Sequence, residues 1–166
     1  MSHGAAFWSF ALATYERRTV RGICLRLQDD HGLDVMVLLG CLWAADRGLQ
    51  LEPAQIGALV AAIGPWQTKV TARLRWARRA AGRLAGPDAD TGPLRAAILG
   101  AERAAERVTA ERVAGVLAAA QPRKPPESAA ALAALNLKLY FDQAGCTAVA
   151  VDADRHALAA AAFARA

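Results

Sequence analysis

Residues 27–44 read LQDDHGLDVMVLLGCLWA: two adjacent carboxylates, a His-Gly break, then an almost unbroken apolar run that closes on a tryptophan. Asp29, Asp30, His31 and Asp34 are either a reactive cluster, since paired carboxylates push each other's pKa values apart, or the joint between two helices. The spacing favours the joint. Positions 29 and 30 point about 100° apart on a helix, so their carboxylates diverge. Gly32 suits a helix C-cap and Asp34 the N-cap of the next helix, with Gln28 and Asp29 expected to tie the turn to a neighbouring helix. From Val35 to Ala45 the chain is apolar on every side, which predicts a buried central helix over 35–47, closed by Gly48.

Helical periodicity spreads outward from that element. Upstream, an aromatic-dense helix is expected from Phe7 to about Tyr15. A second follows from about Thr19 to His31, with Val20, Ile23, Cys24, Leu27 and His31 on one apolar stripe. Downstream, Pro53 suits a first helical turn, and the stripe Ile56, Leu59, Val60, Ile63 is expected to stop at Gly64-Pro65. A longer helix is expected over 65–84, turn chemistry over 85–93, and another helix from Pro93 to about Ala120. The latter would show Leu94, Ala97, Ile98, Ala101, Ala105, Val108 and Val116 on one face. Together they predict a long helical hairpin over 65–120. The Pro-rich stretch 121–127 reads as a connector, Ser128 to about Gln143 as helix, and Asp152 as the cap of a final Ala-rich helix. No alternating pattern demands a sheet. The expectation is an all-α chain: one compact bundle of six or seven helices, a single domain over 1–166.

A chain of 166 residues buries a real core without disulfides or metal. Its longest wholly apolar run, Val35 to Ala45, falls short of the roughly 20 residues that cross a bilayer. The N-terminus lacks the basic start and apolar core of a secretory signal, so a cytoplasmic location is expected. Cys24, Cys41 and Cys146 lie far apart in apolar surroundings and read as buried thiols. His3 and His156 have no neighbouring carboxylate or cysteine ligands, and no P-loop, GxGxxG, GxSxG or HExxH motif is present. Neither metal nor cofactor is expected. Trp8, Trp43 and Trp66 are assigned to the core.

Of the 20 basic residues only Lys69, Lys124 and Lys138 are lysines; with abundant alanine this fits the codon bias of a GC-rich bacterial genome, so total charge alone is no argument for a nucleic-acid ligand. Position is more informative. The net charge is zero over 1–50, +5 over 51–86, −1 over 87–120 and +1 over 121–166, so the excess lies in one segment.

Some of these residues form a pattern: Phe7-Trp8-Ser9-Phe10, Tyr15, Cys24-Leu25-Arg26-Leu27-Gln28-Asp29, Gly32, Asp34-Val35, Leu38-Leu39, Cys41-Leu42-Trp43 and Pro65-Trp66. The pattern resembles a proteobacterial family of small uncharacterised proteins over residues 7–85, in which Asn is usual where this chain has Met36. The resemblance implies a bacterial source and no catalytic residue.

The basic segment is WQTKVTARLRWARRAAGRL, residues 66–84. Wound evenly at about 100° per residue, it gathers Trp66, Val70, Leu74, Ala77, Ala81 and Leu84 into one apolar arc. Lys69, Arg73, Arg75, Arg78, Arg79 and Arg83 cover the rest. Trp76 stands among the arginines, where an indole serves as a cation–π partner, a stacking platform or an anchor for a protein. Two readings follow. Trp76 packs inward while Glu102, Glu106 and Glu111 neutralise the arginines; or Lys69, Arg73, Trp76, Arg79 and Arg83 form a surface for an acidic protein or RNA, in preference to a membrane. The sequence points to a non-enzymatic binding or adaptor module. The alternative is a small enzyme or ligand-binding domain, with a pocket near Tyr15, Asp29 and Asp30 where Arg17, Arg18 or Arg21 receives an anionic ligand.

Overall fold

The computed structural model describes residues 2–85, 90–120 and 128–164, and over these the chain is helical with no strand. The helices are α1 His3–Tyr15, α2 Arg18–His31, α3 Val35–Asp46, α4 Pro53–Trp66, α5 Ala72–Arg83, α6 Gly92–Ala118, α7 Ala129–Gln143 and α8 Val149–Phe163. A π turn, Gln67–Thr71, joins α4 to α5 without a break. The connector expected at 121–127 lies outside the described residues.

The joint in residues 27–44 forms as a capped turn. Gly32 takes the left-handed conformation (φ 67°), its N–H donating to the Gln28 carbonyl while Leu33 N–H donates to that of Leu27. Buried Leu33 is the apolar plug of this left-handed closure. His31 is therefore displaced from the apolar stripe into solvent, a correction to the periodic reading. Asp34 Oδ1 accepts from Met36 N–H at 2.7 Å and caps α3. The tie to a neighbouring helix comes from Gln67, not Gln28, and from Tyr140, whose hydroxyl accepts from Asp34 N–H at 2.8 Å.

Every residue of α3 from Met36 to Ala45 is buried. Phe7 of α1 tilts against Trp43 at 5.3 Å, and α7 packs along the helix. Asn136 of α7 is fully buried: its Oδ1 accepts from Leu51 N–H, and its Nδ2 donates to the carbonyls of Leu49 and Cys41. One side chain thus satisfies the irregular backbone between α3 and α4, which would otherwise cost about 1–3 kcal/mol per stranded group. The C-terminal helices share this core through Leu132, Leu137, Phe141, Val151 and Leu158. Arg17, expected beside a pocket, instead donates to the carbonyls of Ala161, Ala162 and Ala164 and closes the end of α8.

Three further expectations change. Gly64-Pro65 does not stop the helix: Pro65 sits inside α4, and Thr68 Oγ1 donates back to the Gly64 carbonyl at 2.9 Å. Asp152 lies in the first turn of α8 rather than at its cap, which is Ala148, and pairs with Arg155 at 2.6 Å. Cys24 and Cys41 are buried, their thiols pushed up to about 12 by desolvation, but Cys146 is only half-buried.

Candidate functional site

The hairpin expected over 65–120 forms from α5 and the first half of α6. Its register is antiparallel: Arg75 meets Glu102 and Glu106, Arg78 meets Glu102, and Gly82 lies against Arg95. The face that α5 turns to α6 is not the apolar arc of the even wheel. A π turn holds one more residue than an α turn, so α5 is rotated by about 100° relative to α4. Val70, Leu74, Ala77 and Ala81 end half-buried, and Leu84 is exposed.

Charge replaces apolar burial at this contact. Glu102 is 4% exposed and holds two guanidiniums, Arg75 Nε at 2.9 Å and Arg78 Nε at 2.7 Å. Burial raises its carboxyl, but the hydrogen bonds and charges of Arg78 and Arg75 outweigh burial and leave it below the usual carboxylate range. Glu106 also reaches Arg75, at 3.3 Å, and is held above that range by burial. Glu111, expected to neutralise another arginine, instead faces α1, where Ser2 donates to it at 3.4 Å and its carboxylate fills the space beside Gly4.

Lys69, Arg73, Trp76, Arg79 and Arg83 are all exposed. None of these four cations has an ion pair among the described residues. Trp76 is 65% exposed, the most open tryptophan of the chain, and borders a shallow hollow with Arg73 and Ala77. Of the α6 face expected to be apolar, Ala105 is buried, but Leu94 and Val108 are uncovered; the buried stripe runs through Glu102, Ala105, Thr109 and Val113. The antiparallel register sets Leu94 level with Leu84, so the arm presents apolar residues beside its cations.

At the foot of the arm lies a cleft of about 640 Å³. Trp8, Leu12 and Tyr15 of α1 form one wall, Leu25, Gln28 and Asp29 of α2 another, and Asp34 and Met36 its floor. Gln67 and Thr68 of the π turn, Arg75 and Arg79 of α5, and Glu106 complete it. Tyr15 and Asp29 are thus brought together. Asp30 is not, because it points away from Asp29 on α2, and Arg17, Arg18 and Arg21 do not line the cleft either. Trp8 and Trp66, both expected in the core, are half-buried: Trp8 packs against the core where it borders the cleft, while Trp66 is fixed by an N–H donated to the Ala105 carbonyl at 3.0 Å and by Arg112 stacked 4.9 Å from its ring centre. Trp8, Asp34, Gln67 and Arg75 were missed as wall residues. The first two stood in the quoted motifs; the others reach the cleft only through the π turn.

Among the described residues no cluster of His, Cys, Asp and Glu is arranged to hold a metal ion, and no helix is long and apolar enough to cross a membrane. A family model described as "Protein of unknown function (DUF2390)" matches residues 6–113, from α1 through most of α6, and so takes in α3, the cleft and the arm. No curated protein and no solved structure matches.

Proposed function

The chain belongs to the DUF2390 family, proteins of unknown function, and on the geometry above we propose that it is a non-enzymatic binding or adaptor module whose α5–α6 arm docks an acidic protein segment. The observation that carries this reading is Trp76, 65% exposed in a field of cations that have no ion pair among the described residues. Arg75 and Arg78 are spent internally on Glu102 and Glu106. Lys69, Arg73, Arg79 and Arg83 remain to attract an acidic surface, and Trp76 supplies the desolvated anchor that charge alone does not provide. A protein is favoured over RNA because Leu84 and Leu94 extend the apolar contact beyond one stacking ring. The same cations oppose pairing with a second copy of the arm.

The test uses the full chain, a synthetic amphipathic Glu/Leu helix and a single-stranded RNA oligomer, with affinities measured over a range of salt. The acidic helix is expected to bind, more weakly as salt rises because fewer counterions are released. Arg79→Glu with Arg83→Glu should abolish binding and leave Tm nearly unchanged. Preference for RNA, or unaltered binding by the charge-reversed chain, overturns the proposal.

A further inference from the structure

We infer that the cleft at the foot of the arm binds a small ligand carrying a protonated amine on an apolar or aromatic body. This goes beyond the docking role of the arm and stands or falls separately from it. The volume, about 640 Å³, is that of a small-molecule site. Its apolar side is built: Trp8 is half-buried, Met36 is buried, and Leu12 and Leu25, each more than 40% exposed, also line it.

The polar side decides the sign of the ligand. Asp34 Oδ1 accepts from Met36 N–H and from Gln67 Nε2. The carboxylate also draws on the Val37 N–H, but it makes no ion pair among the described residues and it lines the cleft. Asp29, at the end of α2, makes no ion pair among the described residues. Of the two cations lining the cleft, Arg75 is committed to Glu102 and Glu106, which leaves only Arg79, at the exposed rim. The uncommitted charge is therefore two carboxylates against one guanidinium. That balance reverses the expectation of an anionic ligand, which rested on arginines that lie elsewhere. An ammonium group set against the Asp34 carboxylate would gain a charge-assisted hydrogen bond, with the faces of Trp8 and Tyr15 adding cation–π attraction. Its apolar body would lie against Leu25 and Met36.

Three probes with one ring and nearly equal length separate the head groups: phenethylamine, 2-phenylethanol and 3-phenylpropanoate, each titrated into the ¹⁵N-labelled full chain. Phenethylamine is expected to shift the Trp8 indole and Met36 amide signals and to bind about tenfold or more tighter than the alcohol, a difference of about 1.4 kcal/mol; the carboxylate should bind weakest. Asp34→Asn keeps a good N-cap and should weaken phenethylamine about tenfold. Asp29→Asn, at an exposed position where folding is not at stake, should weaken it in the same direction, and Asp30→Asn, outside the cleft, should change nothing. Binding of the carboxylate as tightly as the amine, absence of shifts at the cleft with all three probes, or amine affinity unchanged from the parent in the Asp34 and Asp29 variants overturns the inference.

Discussion

Helices α3 and α5 are both 12 residues long, yet α3 buries ten of its residues and α5 only Ala80. The first is held by apolar contact on all sides, so its fit to its neighbours carries the stability of the fold. The second is held at one edge by ion pairs and leaves most of its surface to solvent. Stability and recognition are thus placed in separate helices, and a substitution in one is expected to leave the other property intact.

The largest effect should come from α3. Leu38→Ala removes a fully buried side chain and is expected to cost about 2–5 kcal/mol, read as a lowered urea midpoint of the whole chain. A loss below about 1 kcal/mol would mean that α3 is not the centre of the core. Next is Asn136→Leu, which leaves Leu51 N–H and the Leu49 carbonyl unpaired inside the protein. A cost of about 1–3 kcal/mol is expected, with exchange protection lost first at Leu51.

The arm should respond differently. Glu102→Gln leaves two guanidiniums facing a neutral amide, and about 1–3 kcal/mol is expected, visible as faster hydrogen exchange in α5 with α3 unchanged. Equal loss in both helices would erase the contrast between them. The same residue sets a pH dependence. A carboxyl held below its unfolded value stabilises the fold above the ordinary carboxylate range, and that contribution is lost as pH falls through the lower, folded value. Asp34 and Glu106, both raised by burial, work in the opposite sense and lose a penalty on protonation. In acid, protection in α5 should therefore fail before that of α3, and Glu102→Gln should remove the pH dependence of that failure. The smallest effect on stability belongs to Trp76→Ser, within about 0.5 kcal/mol of the parent, while capture of an acidic helix by the arm should be lost.

The difference between the two helices also explains what the sequence could reveal. An unbroken apolar run has one physical outcome, so α3 and its caps at Gly32 and Asp34 could be read directly. The placement of α5 could not, because a stop at Gly64-Pro65 followed by even winding over 66–84 leaves out the π turn, which no residue type announces. That single extra residue moved Leu84 into solvent and brought Arg75 and Arg79 to the cleft. Asn136 was overlooked for another reason: one polar residue in an Ala/Leu-rich helix looks the same whether it faces water or a buried loop. Tyr15 and Asp29 both line the cleft, a convergence that helical geometry alone does not supply. Asp30 fails because adjacent helical positions diverge, an argument already available at residue 29.

The π turn makes the identity of the arm's outward face a matter of counting. Deleting one residue between Gln67 and Thr71 would let the rod wind evenly from α4 into α5 and swing every later side chain by roughly a quarter of the circumference. Arg75 and Arg78 would leave Glu102, and the indole of Trp76 would change neighbours, with no amino acid in α5 replaced. The arm's surface is thus encoded by the length of the segment beneath it as much as by its own letters.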